Sequence, residues 1–135
     1  MLNKYSHDIA LLLIRLGIGV VFLAHGLQKF GAFNGPGVEN FSVMLKNIGF
    51  VPPMFWAYLV SGTEVIAGLT LILGVLPRIS AFSISIIALV AIVKVHGPHG
   101  FFMANNGMEY LYLIFLTSLA LMLTGGGKFS LYDKF

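Results

Sequence analysis

The chain has 135 residues, of which 58% are hydrophobic and 10% charged, with a mean hydropathy of +0.92. Soluble domains carry roughly 25% charged residues, so the composition describes an integral membrane protein with no length to spare for a second, soluble domain. The absence of cysteine excludes disulfides, thiolate metal centres and CxxC redox chemistry, and the net charge of +3 is scattered over loops and helix ends, which suits lipid headgroups and topology rather than nucleic acid.

A short polar start precedes an apolar run predicted to span the bilayer over residues 9–30, enough for a hydrocarbon core of ~30 Å. Arg15 interrupts it, so a retained helix is expected rather than a cleavable signal peptide. At ~100° per residue, Arg15, Ile18, Gly19, Phe22, His25, Gly26 and Lys29 share an arc of roughly 120°. A charge near the bilayer centre costs at least ~2.5–3.5 kcal/mol, so this arc is expected to face protein or trapped water. In the Gly/Pro-rich connection 31–53, Val38, Phe41, Met44, Leu45 and Ile48 follow helical spacing, with Glu39, Asn40, Lys46 and Asn47 between them. That pattern predicts a short amphipathic helix.

Pro52 and Pro53 open a second span, 54–76, closed by Gly74 and Pro77. A third, 78–95, stops at Gly97 and Pro98. A fourth, 108–124, ends at Gly125, Gly126 and Gly127. The fold expected is all-α and polytopic: a four-transmembrane-helix bundle with an amphipathic helix in the first connection, the whole of 1–135 forming one domain. Four spans put the termini on one side, and a small Lys/Arg bias (Lys4, Arg78, Lys128 and Lys134, with Arg15 a turn or two inside, against Lys46, with Lys29 and Lys94 near the helix ends) favours the cytoplasm for that side. A weak internal repeat runs through the halves. Arg15, Lys29, the Gly62–Glu64 segment and Gly74 in the first are followed in order by Arg78, Lys94, the Gly107–Glu109 segment and Gly125 in the second.

Depth can be estimated from a rise of ~1.5 Å per residue. Arg15 then lies ~9 Å from the cytoplasmic end and Glu64 ~16 Å from the opposite end, within ~5 Å of each other in a ~30 Å core. An Arg15–Glu64 ion pair across the first two spans is therefore expected, either as a register lock or as a site that exchanges protons. A second cluster lies toward the far face: His25, Lys29, His96 and Glu109, with His99 in the adjoining loop. His25 and His96 fall at similar depths, ~24 and ~27 Å from the cytoplasmic end. No metal is expected there, because the pair His96 and His99 straddles a helix-breaking Gly97–Pro98 and the nearby cations oppose a metal ion. Lys29 and Lys94 also suit helix C-termini, and Glu109 an N-terminus. Titratable groups meeting at one membrane face suit a small amphiphile such as a quinone, whose carbonyls need hydrogen-bond donors and whose reduction needs protons. Phe101, Phe102, Tyr110 and Tyr112 are placed to flank such a ring or to sit as interfacial aromatics. There is no nucleophile–base–orienter set, phosphate loop or cofactor fingerprint, so catalysis is left open.

With these residues in view, the chain resembles the DoxX family of small bacterial and archaeal membrane proteins over nearly its whole length. The resemblance rests on Arg15, Leu16 and Gly17, on Phe22, His25, Gly26 and Lys29, on Gly62, Glu64, Gly68, Leu73 and Gly74, on Pro77, Arg78 and Ala81, and on Glu109 and the exit from Gly125 to Leu131. Where the family commonly has Ser-Leu-Asp, this chain has Ser130, Leu131, Tyr132 and Asp133, a departure that bears on any role for the tail acid. The resemblance implies a four-helix bundle in the bacterial or archaeal cytoplasmic membrane and an association with redox physiology. The first functional expectation is a small quinone-interacting subunit, with His25, Lys29, His96 and Glu109 as ligand-binding residues. The alternatives are a non-catalytic partner or assembly protein that recruits a redox enzyme, and a small-solute or proton pathway. The small-residue surfaces also suit a homodimer.

Overall fold

The computed structural model describes residues 3–134; Met1, Leu2 and Phe135 of the expected start and tail lie outside them. Its five α-helices are α1 (Lys4–Lys29), α2 (Gly37–Asn47), α3 (Pro53–Leu73), α4 (Pro77–Ala91) and α5 (Glu109–Thr124). Among the described residues the only β pairing is an isolated bridge between Val75 and Tyr132. The polar start is itself helical, so α1 begins at Lys4. The chain after α4 does not stop at residue 95. It winds through a π-helical stretch, Ile92–His96, and a 3₁₀ turn, Gly97–His99, because Pro98 falls in the first turn, where its missing N–H costs no hydrogen bond.

Among the described residues, three helical stretches are long and apolar enough to cross a membrane: Lys4–Lys29, Pro53–Leu73 and Pro77–His99. The helix at the expected fourth span, α5, has 16 residues, ~24 Å at ~1.5 Å per residue, shorter than a ~30 Å hydrocarbon core. The molecule is apolar outside and buries charged and hydroxyl side chains within its apolar interior. Leu13, Ile66 and Leu113 are 63%, 65% and 62% exposed, whereas Arg15, Glu64, Ser61 and Ser118 are buried. Water would penalise that arrangement and lipid favours it.

Antiparallel α1 and α3 make the most intimate pair, α4 and α5 the next; α3 joins the two pairs through α4, and α1 touches α5 only lightly. Small residues set the first pairing. A Cβ built on Gly19 would lie 2.8 Å from the Gly68 carbonyl oxygen, and one on Gly68 would lie 2.5 Å from the Leu23 nitrogen, so the backbones meet where nothing larger than glycine fits. Ile18, Phe22, Leu71, Ala81, Ile84, and Leu121 belong to the common core. The amphipathic α2 lays Phe41 and Leu45 against Ala57 and the neighbouring Trp56 and Val60 of α3, while Met44 of the expected apolar stripe turns outward at 38% exposure.

Candidate functional site

The expected Arg15–Glu64 ion pair is not formed. Arg15, 1% exposed, instead places all its donors on oxygen acceptors at the end of α3 and in the C-terminal tail. Nε donates to Leu71 O at 3.0 Å, Nη1 to Gly126 O at 2.8 Å and Ser130 Oγ at 2.7 Å, and Nη2 to Ile72 O and Phe129 O, each at 3.3 Å. A guanidinium has five N–H donors, and each has a partner here. The physical reason is stagger. Helices α1 and α3 do not start and stop at common planes, so Arg15 lies level with the last turn of α3, where carbonyls lack helical partners and a cation is favoured. Gly74 completes the arrangement: it adopts φ +72, and a Cβ there would lie 2.7 Å from the Arg15 guanidinium.

Arg78 does for the second pair what Arg15 does for the first. Its Nη1 donates to Met122 O at 2.9 Å and Leu123 O at 2.7 Å. Leu71 and Ile72 precede Gly74 at the same offsets at which Met122 and Leu123 precede Gly125, so the repeat has a structural counterpart at this end. It does not extend to the acids, since Glu64 and Glu109 have unrelated partners. The tail acid does have a place: Asp133 Oδ2 accepts from Gly126 N at 2.7 Å, and Oδ1 lies 3.9 Å from Arg78 Nε. Asp8 receives Lys128 N at 3.0 Å, so one end of the molecule is closed by backbone and tail.

The opposite half holds the cavity. Glu64, its side chain 5% exposed, accepts from Lys29 Nζ at 2.5 Å. The same ammonium lies 5.1 Å from the centre of the Phe41 ring, a cation–π distance that ties it to α2. Lys29, Glu64, His25 and His96 line one cavity of about 370 Å³ whose remaining wall is largely apolar, including Phe22, Ile87 and Leu111. The π-helical stretch delivers His96 to this wall, and its ring is fixed from behind: Nδ1 donates to Asn106 O at 2.9 Å, since a carbonyl can only accept. Nε2 is then the ring atom left for a ligand.

Of the residues expected in the far cluster, His25, Lys29 and His96 share this cavity, while Glu109 does not line it. The Glu109 carboxylate accepts from Met103 N at 2.9 Å, and Met103 lines the cavity, so this acid holds the loop at its mouth. Glu64, expected as the partner of Arg15, takes the acidic position expected of Glu109. The small-residue faces carried a usable signal. Pairing Gly19 with Gly68 in an antiparallel register brings Gly26 beside Glu64 and Val65, and Lys29 follows one turn later. Among the aromatics, Tyr110 lines the cavity, whereas Phe101 packs edge to face on Phe102 at 5.5 Å and Tyr112 at 6.3 Å between ring centres. Among the described residues no three His, Asp or Glu side chains converge as metal ligands.

Comparison with known proteins places these residues in context. The model of the DoxX family matches residues 10–97. A Bacillus subtilis (strain 168) protein named "Putative oxidoreductase CatD" is 36% identical over 99% of this chain and 91% of its own length. An uncharacterized protein of Haemophilus influenzae is 30% identical over 91% of this chain and 81% of its own. No solved structure gives a significant match.

Proposed function

The chain belongs to the DoxX family, and on that premise we propose that it is a redox-associated membrane subunit that binds a quinone headgroup between His25, Lys29, Glu64 and His96. The observation that carries the proposal is the presence of two imidazoles and a buried ion pair in the lining of one largely apolar cavity. A quinone has that composition: an apolar ring with carbonyl oxygens at its edge. His25 and the Nε2 of His96 offer hydrogen bonds to a carbonyl when protonated and accept one from a hydroxyl when neutral. Lys29 presents a further donor, and Glu64 holds it in place. Glu109 shapes the mouth through Met103. The oxidoreductase name of the Bacillus relative supports the redox association, and the chemical step belongs to whatever partner supplies or removes the electrons.

In this reading α5 is the fourth span of a single four-span domain in the cytoplasmic membrane of a bacterium or archaeon. The arginine-rich end, with both termini, faces the cytoplasm, and the cavity lies toward the other leaflet. The test is thermal stabilisation of the purified protein in detergent by a short-chain quinone. Binding at a hundred times Kd stabilises by ~2.7 kcal/mol, and His96→Leu should remove the shift. No shift at saturating quinone, in a sample that elutes as a single folded species, would overturn the ligand assignment. Stoichiometric co-purification of a redox enzyme with that sample would then identify it as a non-catalytic membrane partner.

A further inference from the structure

The polar cavity has an apolar neighbour. A second depression of about 300 Å³ runs along the seam between α1 and α5, lined by Ile14, Gly17, Val21, Leu113, Ile114 and Thr117. Val21, Tyr110 and Ile114 line both spaces, so the seam adjoins the cavity across these three side chains. It lies where the bundle is least tightly joined, between the two helices that touch only lightly. Its lining from Ile14 to Val21 covers ~10 Å of helix rise in the middle of the longest span.

Gly17 makes the seam specific. The neighbouring helical glycines of α1 have a packing reason, since a Cβ at Gly19 or Gly26 would collide with α3 at 2.8 or 2.7 Å, but a Cβ at Gly17 would meet nothing within 4 Å. Glycine inside a helix costs roughly 0.5–1 kcal/mol relative to alanine. At this position the cost secures no helix contact and leaves open space beside Thr117.

We propose that the α1–α5 seam is the lateral portal of the cavity and the groove for a hydrocarbon tail, so that the ligand is a long-tailed amphiphile that enters from the bilayer. The headgroup occupies the space between His25 and His96, and the tail leaves past Tyr110 and lies along Gly17. This rests on the headgroup assignment above. Lipid already surrounds the tail as well as protein does, so the groove sets which ligands fit more than how tightly they bind.

The test compares a tail-less benzoquinone with its decyl derivative, titrated into the wild type in phosphatidylcholine nanodiscs at equal membrane mole fraction. In Gly17→Leu the decyl derivative should lose at least ~10-fold in affinity, the scale expected for forcing a side chain into an occupied apolar space. The tail-less quinone should bind as in the wild type. Thr117→Phe, from the opposite wall, should reproduce the selectivity. Equal loss of both quinones, or no loss of either, would overturn the seam as the tail groove while leaving the headgroup site in place. If neither quinone binds the wild type, the headgroup assignment fails and the portal fails with it.

Discussion

Replacing Lys29 by methionine removes the partner of a carboxylate whose side chain is 5% exposed. Stranding one member of a buried pair costs about 3–5 kcal/mol, and the 19% exposure of Lys29 puts the expected loss toward the lower figure. Glu64→Gln should cost less, because the amide oxygen still accepts from the ammonium. The double variant Lys29→Met with Glu64→Gln should then lose less than the sum of the two, with a coupling energy of about 1.5–3 kcal/mol. The contrasting cycle joins Arg15→Met with Glu64→Gln. Arg15 and Glu64 share no hydrogen-bond partner, and Leu71 lies about two helical turns, ~10 Å, from Glu64. Those losses should add to within ~0.5 kcal/mol. Unfolding in mixed micelles, followed by the fluorescence of Trp56, measures both cycles. Coupling above ~1 kcal/mol between Arg15 and Glu64, with none between Lys29 and Glu64, would refute the staggered register and restore the pairing expected from depth alone.

Other expectations concern the closed end and the helix interface. Arg15→Met leaves the buried Gly126 carbonyl without its donor, at about 1–3 kcal/mol, while Leu71 O keeps the Gly74 N–H at 3.1 Å; Arg15→Lys, with three donors in place of five, should lose less. Trypsin cleavage after Lys128 should accelerate in both, methionine more than lysine. Asp133→Ala should cost about 1–2 kcal/mol through the Gly126 N–H bond, with little from Arg78, whose side chain is 37% exposed and 3.9 Å away, and the midpoint of thermal unfolding reports it. Gly68→Val should destabilise by at least ~2 kcal/mol because the added atoms meet the α1 backbone, whereas Gly17→Ala should be neutral or stabilising by ~0.5–1 kcal/mol. Parallel unfolding curves of the two variants test whether the glycines of α1 and α3 have different purposes.

Much of the architecture is written locally. Long apolar runs and the glycines and prolines that punctuate them depend on near neighbours in the chain, so the helices of α1, α3 and α4, the amphipathic α2 and the helix stop at Gly125 could be read without tertiary information. The gathering of His25, Lys29 and His96 was legible too, since the ends of antiparallel helices on one side must lie near one another. Only the tertiary structure decided which charge meets which. Depth arithmetic assumed that every helix begins at the same membrane plane. In the fold, glycine contacts between α1 and α3 set an offset that carries Glu64 away from Arg15 and up to Lys29, because close backbone packing at Gly19 and Gly68 constrains register more tightly than a flexible ion pair can. The π-helical turn that delivers His96, the tail that satisfies Arg15, and the loose α1–α5 seam beside Gly17 all depend on contacts between residues distant in sequence, where no local pattern could specify them.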